Sequence, residues 1–500
     1  MKSIPDSEQK KCVVIGGGLA GLATAAGLAY RGYSVILIEK NKDLGGRARV
    51  FKQKGFTFDM GPSWYMMPEV IESFFASVGK KSSDYYSLRE LSTKYRVFSD
   101  SHKPIDIVSN IQKNLRLFET LEPGSRAKLV SLITKTNVAY TLSIELLARK
   151  YDSFLSLLTP KTMLAGLRLL SQFNPFQSYE RFITTQLSHP LIQKILQFHT
   201  VFLGGSPKRT PALYSILIAS DFKGKIWYPE GGIGQLPKAL EALCKEFGVT
   251  IKTEEAVTSV HIDDETKRVT SVDTTQGTYD ADIFVTTADY AYFDIHLLPN
   301  EYKEYSKDYW ENREYAISSV LVYLGLSKKI PELQHHNFYF QDDWNDHFST
   351  IQNSTEFPKK PCYYVCAPSV TDHTVAPKNA ENLFILVPVS VQTKQHGVDE
   401  YVEHVLDHVE ATTGAEIQKH IVYKKIFAQK DFAHEFNAYK GNALGLSHSL
   451  LQSVFMRPRM KAKQLSNLYF AGQFTQPGIG VPMVLLSAQY VIDEIQKDSA

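Results

Sequence analysis

The stretch KCVVIGGGLAGLATAAGLAYRGYSVILIEK, residues 11–40, decides the fold of this chain. A short apolar strand leads into a glycine turn and an Ala/Leu-rich helix, and a second apolar strand ends in the acid Glu39. This order is typical of a βαβ unit. Gly16, Gly18 and Gly21 form the pattern GxGxxG, which allows a tight turn, a close approach of the backbone to a pyrophosphate, and close packing of helix on strand. The stretch predicts a dinucleotide-binding domain.

Each part of the nucleotide has a predicted partner in this region. The phosphates are expected at the N-terminus of the first helix, where free N–H groups and the helix dipole favour anions. Glu39 lies about 20 residues beyond the glycines, where its carboxylate can hold the ribose hydroxyls, with Lys40 beside it. Gly46 and Arg47 follow, and an arginine next to a flexible glycine pair can bind phosphate oxygens as a planar fork. The start of the chain resembles flavoproteins of the glutathione-reductase type.

The C-terminal stretch NLYFAGQFTQPGIGVPMVLLSAQYVIDEI predicts a strand over 468–471, a Pro/Gly-rich turn, and an apolar helix opened by Pro482. A helix N-terminus at this turn could point at a flavin ring and stabilise its reduced, negatively charged form. The alternative is a terminal helix that only packs on the core. The predicted cofactor contacts of this stretch are Gly472, Gln473, Val481 and Met483.

Composition sets the broad class of the protein. A chain of 500 residues with 43% hydrophobic content exceeds what one core usually organises, so two or three domains are expected. A formal net charge of +2 gives no overall field for nucleic acid, which we do not expect as a partner. Four scattered cysteines without a CxxC pair, and the lack of a signal-like or spanning segment, predict a cytoplasmic location.

Seven further stretches narrow the family when they are taken in order along the chain: FDMGPSWYMMPEVIESFF, FHTVFLGGSPKRTPALYS, IWYPEGGIGQLPKAL, LQHHNFYF, APSVTDHTVAP, DFAHEFNAYKGNALGL and AGQFTQPGIGVPMVLLSA. The chain resembles the bacterial and fungal type of phytoene desaturase, the carotenoid and dehydrosqualene desaturase family, from about Cys12 to Ile495. This resemblance implies an α/β fold with a discontinuous, Rossmann-like FAD-binding domain. It also implies a mixed α+β substrate domain and a helical region that associates with the membrane.

The resemblance gives approximate domain limits. The FAD-binding domain is expected in residues 1–115, 222–300 and 460–500, the helical membrane or lid region in 116–221, and the substrate domain in 301–459. A second GxGxxG followed by a strand and an acid does not occur in the sequence. We therefore expect no dedicated NAD(P)H site, and electrons would leave the flavin for oxygen, a quinone or another carrier.

The same resemblance assigns the middle of the site. It places the turn of Gly61, Pro62 and Ser63 beside the isoalloxazine ring, and the backbone near Val257 on the adenine. Trp64, Tyr65 and Met66 would then line a tunnel for a long hydrocarbon, since aromatic faces and thioethers suit a polyene. The alternative is that these three side chains pack a helix start onto the domain core.

The implied activity is FAD-dependent desaturation of phytoene or a related C40 or C30 polyene in carotenoid biosynthesis, with hydride transfer to flavin N5 followed by proton loss. A redox-neutral cis/trans isomerase, a retinol-saturase-like enzyme and a non-enzymatic carotenoid-binding protein remain alternatives. Asp59 and Glu435 are candidate proton acceptors by position alone, and each could equally be a structural hydrogen-bonding residue. Adjacent His335 and His336 would point to opposite faces of a strand, so no metal site is expected.

A polyene must be taken from lipid, which predicts a membrane-facing element. Residues 131–210 hold nine basic side chains against three acidic ones. Within them, KTMLAGLRLLSQFNPF predicts a helix that lies in the membrane interface with Lys161 and Arg168 toward anionic headgroups. An ordinary amphipathic helix over the substrate domain is the alternative. The predicted apolar side of this helix consists of Met163, Leu164, Leu167, Leu170 and Phe173.

Overall fold

A computed structural model describes residues 9–147, 150–151, 158–174 and 177–499, with the side chains of Lys161, Leu170 and Leu450 outside the description. The strands are β1 (Lys11–Ile15), β2 (Ser34–Ile38), β3 (Val50–Gln53), β4 (Phe56–Asp59), β5 (Leu88–Glu90), β6 (Thr93–Ser99), β7 (His102–Val108), β8 (Trp227–Pro229), β9 (Thr250–Lys252), β10 (Val257–Asp263), β11 (Arg268–Thr274), β12 (Thr278–Asp280), β13 (Ile283–Thr286), β14 (Ser318–Leu326), β15 (His336–Tyr339), β16 (Tyr363–Cys366), β17 (Glu381–Val389), β18 (Ile421–Phe427) and β19 (Leu468–Phe470).

The helices are α1 (Leu19–Tyr30), α2 (Pro68–Ser77), α3 (Ile111–Leu121), α4 (Ser125–Leu146), α5 (Pro160–Gln172), α6 (Tyr179–Thr184), α7 (Pro190–Gln197), α8 (Ile216–Phe222), α9 (Gln235–Glu246), α10 (Tyr290–Tyr292), α11 (Lys307–Glu311), α12 (Trp344–Asn353), α13 (Val398–Thr413), α14 (Gln429–Phe436) and α15 (Val481–Ser499).

The first sheet has five parallel strands in the order β19-β13-β1-β2-β9. Its strands come from three separate parts of the chain, so the dinucleotide domain is discontinuous. Helices α1, α9 and α15 share one apolar core on this sheet. Gly27 permits the close packing of α1 on α15, because a Cβ at this position would lie 2.3 Å from Ile492 Cδ1. The α/β architecture predicted from residues 11–40 is therefore present.

A small antiparallel sheet of β10, β11 and β12 follows β9. The two connections span residues 264–267 and 275–277. The first residue of β10, Val257, lies beside Glu255, whose backbone N–H donates to the carbonyl of Glu39 (3.0 Å). This hydrogen bond places the start of the small sheet at the carboxyl end of β2.

The second sheet has seven strands in the order β18-β14-β17-β16-β15-β6-β7. The predicted domain limit at residue 115 is wrong for residues 93–108, because β6 pairs with β15 and extends this second sheet. The apolar side chains of this hairpin, Tyr95, Val97, Ile105 and Ile107, pack in one core with Phe338 of β15. Local sequence gives a hairpin its form but does not say which sheet it joins, since that depends on contacts distant in sequence.

Helices α3 to α8 form a layer over the second sheet, and a buried charge cluster fastens the two together. Asp221 of α8 accepts a hydrogen bond from Tyr95 Oη (2.7 Å) and contacts His199 Nε2 (3.2 Å) and Lys94 Nζ (3.7 Å). Lys94 also donates to the backbone carbonyls of Asp221 and Gly224. Burial alone would raise the pKa of Asp221, but the hydrogen bond from His199 and the charge of Lys94 hold that pKa below its usual value.

Replacing Asp221 by alanine is expected to lower the free energy of unfolding by about 3 to 5 kcal/mol, because it leaves the Lys94 ammonium buried without its carboxylate. Asp106→Ala is the matched control: Asp106 pairs with Arg96 (2.7 Å) in a partly exposed position, where such pairs contribute about 1 kcal/mol or less. Urea denaturation followed by tryptophan fluorescence measures both. Equal losses in the two variants would contradict the role given to the buried cluster.

Candidate active site

The glycine turn after β1 forms an open groove at the start of α1. A Cβ on Gly21 would lie 1.8 Å from the Gly16 carbonyl oxygen, so only glycine allows this contact. At Gly18 a Cβ would approach nothing closer than Gly46 Cα, 3.9 Å away. Helix α1 begins directly after Gly18, which has no side chain to cap the free N–H groups of the first turn. The groove therefore offers unpaired donors to an anion.

Glu39 is held at the carboxyl end of β2 and faces this groove. Its Oε2 accepts a hydrogen bond from the Gly17 N–H (2.7 Å), and its Oε1 accepts from the N–H and the side-chain amide of Asn41, both at 2.8 Å. The remaining lone pairs can accept from ribose hydroxyls. Lys40 also lines the cavity, but its ammonium donates to the His434 carbonyl (2.6 Å) and to Asn437 Oδ1 (2.7 Å). These two hydrogen bonds link Lys40, on the nucleotide side of the cavity, to the end of α14.

Arg47 lies buried between the glycine turn and the C-terminal part of the chain. Its Nη2 donates to the Asn442 carbonyl (3.3 Å), and Gln473, with its amide oxygen turned inward, accepts from Nη1 at 3.1 Å. Its Nε finds no hydrogen-bond partner within the described ranges. A buried guanidinium with an unfilled donor, next to an open glycine groove, fits a phosphate oxygen of a dinucleotide.

The turn before α15 brings a helix N-terminus to the cavity, as the sequence predicts. Gly472 N–H donates to Ser487 Oγ (2.9 Å), and Arg457 Nη2 donates to the Gln473 carbonyl (2.9 Å). The cavity wall here includes Gly480, Val481, Pro482 and Met483, together with Gly472 and Gln473. Burial lowers the pKa of Arg457 to about 10. Arg457 was not predicted, because nothing in its local sequence marks it as the residue that shapes this turn.

One cavity of about 1080 Å³ connects the nucleotide groove with an apolar tunnel. Gly46, Gly61, Pro62, Ser63 and Val257 all line it, and their contacts with the cofactor stay a prediction. The end of β13 adds residues that the sequence analysis missed, although the carboxyl ends of parallel strands are where such sites are expected. These residues are Thr286, Thr287 and Asp289.

Trp64 and Met66 line the tunnel, whereas the assignment of Tyr65 to the substrate is wrong. Tyr65 is buried in the nucleotide domain, where its hydroxyl hydrogen-bonds Tyr86 Oη (2.6 Å). The backbone at Tyr65 pairs with Trp227 in an isolated β-bridge. In such extended backbone successive side chains point to opposite sides, so Tyr65 faces away from its two neighbours.

Aromatic rings surround Trp64 in the tunnel. Its ring centroid lies 5.6 Å from that of Phe202 and 5.8 Å from that of Phe338, and it stacks on His336 at 4.8 Å. These faces offer dispersion contacts and no hydrogen bonds to a ligand. The tunnel therefore suits an unsaturated hydrocarbon.

Neither proposed proton acceptor has a suitable position. Asp59 does not line the cavity: its carboxylate accepts from the N–H groups of Ile233 and Gly234, both at 2.9 Å, and fixes the turn before α9. Burial raises the pKa of Asp59 to about 6. Glu435 lines the cavity, but its carboxylate accepts from Arg49 Nη2 at 2.5 Å, which outweighs burial and holds its pKa below the usual value.

Glu435 also lies at the wrong end of the cavity. Its carbonyl accepts from the Asn41 amide (3.0 Å), and that same amide binds Glu39. The residue therefore belongs to the ribose end of the groove and not to the turn at Ser63. Both sequence-based proposals for a proton acceptor are wrong on these grounds.

His335 and His336 do not point to opposite faces, so that prediction is also wrong. Strand β15 begins only at His336, and the two ring centroids lie 4.4 Å apart. Their ring nitrogens and Cys366 Sγ fall within 4.8 Å of one another. Burial lowers the pKa of both imidazoles and raises that of the Cys366 thiol to about 12, so all three groups are neutral. That no metal is bound here stays a prediction.

Glu39→Arg should lower the FAD content of the purified protein, because the guanidinium reverses the charge at the ribose and cannot accept hydrogen bonds. Glu265→Arg, an identical change in the exposed turn between β10 and β11, is the control and should keep its flavin. Absorbance of flavin released by heat, divided by protein concentration, measures both. Full flavin content in Glu39→Arg would overturn the assignment of the groove.

Comparison with known proteins agrees with this geometry. The family model "Flavin containing amine oxidoreductase" matches residues 19–495. The chain is 38% identical over 502 residues to a carotenoid 3,4-desaturase of Haloarcula japonica, which covers 99% of this chain and 100% of the relative. It is 32% identical over 504 residues to a 4,4'-diapophytoene desaturase (4,4'-diaponeurosporene-forming) of Staphylococcus aureus, over 98% of this chain and 99% of the relative.

Two solved structures share the fold. An oxidoreductase of Methanosarcina mazei superposes with a TM-score of 0.65 at 17% identity and covers 97% of this chain and 100% of its own. Cyclohexylamine oxidase of Brevibacterium oxydans gives a TM-score of 0.58 at 13% identity and covers 98% and 100%. The matched flavin-containing family and the open groove with its unfilled donors agree on FAD as the cofactor. The chain therefore belongs to the flavin-containing amine oxidoreductase family and, within it, to the carotenoid desaturases, FAD-dependent oxidoreductases that act on CH–CH bonds.

Proposed function

We propose that this protein works at a membrane surface, where it takes a long carotenoid polyene end-first into its tunnel and adds conjugated double bonds to it. The observation that carries the proposal is the single cavity that joins the nucleotide groove to an apolar tunnel with an exposed apolar mouth. The desaturase relatives support a carotenoid as the substrate class. A C40 and a C30 polyene are both compatible with these features.

The mouth of the tunnel is apolar and faces outward. Met163, Leu167, Leu213 and Val454 line the cavity and are nevertheless 36 to 63% exposed. Leu164 is 52% exposed and extends this apolar surface. Soluble surfaces rarely gather so many large apolar side chains around one opening without a partner. Other lining residues, among them Phe340 and His347, are buried.

Helix α5 carries part of the predicted membrane face, but not all of it. Met163, Leu164 and Leu167 are exposed on it, as expected, whereas Phe173 is buried against Phe182 at 5.1 Å and is wrong as a membrane contact. The side chains of Leu170 and Lys161 lie outside the described residues. No helix within the described ranges is long and apolar enough to cross a bilayer.

Charge contributes less to this surface than the sequence suggests. Lys194 is buried, with its ammonium donating to the Gln341 carbonyl at 2.8 Å, and Lys150 is mostly buried in an ion pair with Glu494 at 2.9 Å. Arg209 is paired with Glu314 at 2.7 Å. Arg168 is exposed on α5. We therefore propose that membrane binding depends chiefly on insertion of the apolar mouth and only secondarily on anionic headgroups.

The tunnel positions the polyene and keeps water away from it. When bound, FAD supplies the two-electron acceptor that takes one hydrogen of the substrate as hydride. The aromatic faces around Trp64 would stabilise positive charge that develops on the polyene, because ring faces carry negative charge density. Burial of this region excludes water, which prevents capture of a cationic chain. Oxygen or a quinone is the proposed final electron acceptor.

The test of the proposed activity is anaerobic incubation of the FAD-loaded protein with phytoene or diapophytoene in anionic liposomes, with flavin absorbance and product mass followed together. We expect flavin bleaching with stepwise loss of two mass units. A changed cis/trans profile at constant mass and unbleached flavin would indicate an isomerase instead. Gain of mass would indicate a saturase. If neither substrate bleached the bound flavin and neither substrate was itself changed, the proposal of an enzyme acting on these polyenes would be contradicted.

The membrane proposal predicts that Leu164→Gln combined with Leu167→Gln weakens sedimentation with liposomes several-fold while flavin content stays unchanged, because it removes apolar area that would enter the acyl region. Val422→Gln is the control, since Val422 is 42% exposed on β18, away from the cavity lining. Unchanged sedimentation of the double variant would show that α5 is an ordinary surface helix.

A further inference from the structure

We propose that the hydroxyl of Tyr364, backed by His336, accepts the proton that the substrate loses, an inference that rests on the proposed desaturation. Tyr364 lies on β16 and lines the cavity. Ser63, in the turn expected beside the flavin, also lines the cavity. Its Oη lies 2.8 Å from Ser63 Oγ and 2.6 Å from His336 Nδ1. A continuous hydrogen-bonded chain therefore runs from the flavin turn through the tunnel wall to a buried imidazole.

The histidine can take a proton in this arrangement. His336 Nε2 is buried and has no hydrogen-bond partner among the residues that the structure describes. With the imidazole proton on Nε2, the Nδ1 lone pair accepts from Tyr364, and Ser63 donates to Tyr364 in turn. Burial holds the pKa of His336 well below its usual value, so the ring is neutral and Nδ1 is free to accept at neutral pH.

The proton step balances without a further reactant. Loss of a hydride from one carbon leaves an allylic cation, and the adjacent C–H bond then breaks so that its electron pair forms the new double bond. The released proton bonds to Tyr364 Oη, and the proton that Tyr364 carried moves to His336 Nδ1. An allylic cation is a far stronger acid than imidazolium, so a weak buried base is sufficient. Stacking of His336 on Trp64, at 4.8 Å and 22°, stabilises the imidazolium while it lasts.

A route outward begins at the neighbouring ring. His335 lies 4.4 Å from His336 between ring centroids, and its Nδ1 is 2.9 Å from Thr371 Oγ1, on a residue that is partly exposed. The charge of Asp372 favours the protonated form of His335, although burial dominates and lowers its pKa. No hydrogen bond joins the two rings within the described part of the chain, since His335 Nε2 and His336 Nε2 both lack a partner there, so proton transfer from one ring to the other is part of the proposal.

A second tyrosine–histidine pair at the cavity wall has its hydrogen bond in the opposite direction, from the histidine to the tyrosine. His448 Nε2 accepts from the Ile479 N–H (3.1 Å), so its proton is on Nδ1, which donates to Tyr214 Oη (3.0 Å). Tyr214 in turn bonds Ser453 Oγ (2.9 Å). This imidazole has no free lone pair for a proton. The two pairs therefore differ in function although both place a tyrosine hydroxyl at the cavity, and Tyr214 is the matched control for Tyr364.

The test compares Tyr364→Phe, His336→Gln and their combination with Tyr214→Phe, using the FAD-loaded full-length protein. Turnover of the first two variants should fall about 100-fold or more, and the double variant should be no slower than either, because the two groups act as one unit. Tyr214→Phe removes a hydroxyl from the same cavity wall but no proton acceptor, so it should lower kcat far less than Tyr364→Phe does. Flavin content and thermal midpoint, measured on all variants, should be unchanged if the loss is chemical.

The isotope effect separates a proton acceptor from a packing residue. With substrate deuterated separately at its two reacting carbons, Tyr364→Phe should show a larger isotope effect at the carbon that loses the proton, since that step becomes slow. A fall in turnover without this shift, or equal losses in Tyr364→Phe and Tyr214→Phe, would overturn the inference. Failure of the unaltered protein to desaturate any polyene would instead count against the proposed function itself.

Discussion

The parallel pairing of β13 between β1 and β19 is the constraint on which the site depends. It brings the glycine turn, the end of β13 and the turn before α15 to one edge of the sheet, although these segments are far apart in the chain. The contact of Gly21 with the Gly16 carbonyl then sets how closely α1 lies on β1. Arg47 and Gln473 meet across this edge, so the cofactor groove exists only when both ends of the chain are folded.

The two parts of the cavity differ in how their polar groups are hydrogen-bonded. The nucleotide part presents donors and acceptors that are fixed by other polar groups, as Glu39 is by Gly17 and Asn41. The tunnel presents rings, and polar atoms near it, such as Trp64 Nε1 and His336 Nε2, lie buried with no hydrogen-bond partner in the described part of the chain. Unpaired buried polar atoms are costly, and they concentrate where a protein needs a particular chemical function.

The sequence was informative wherever a local pattern had a single physical meaning. The glycine spacing, Glu39 at the end of an apolar strand, and the turn before α15 each predicted an element and its place at the cofactor. Contacts between distant segments were not predictable in this way. The hairpin at 93–108 joined the other sheet, Tyr65 turned into the nucleotide core, and Asp59 became a cap for the turn before α9. The pairing of Ser63 with Tyr364 and His336 leaves no trace in sequence spacing, because it is made by three separate parts of the chain.

The exposed apolar mouth and the buried lining residues Phe340 and His347 have a consequence, under the proposed function, for the order of events on a long molecule. A polyene that enters end-first would leave through the same apolar mouth. The second half of a symmetric chain would then reach the flavin only after the molecule had withdrawn into lipid and returned reversed. Under the proposed function, half-converted carotenoids would thus mix with the membrane pool between visits, and the composition of that pool, rather than the tunnel alone, would set the spectrum of products.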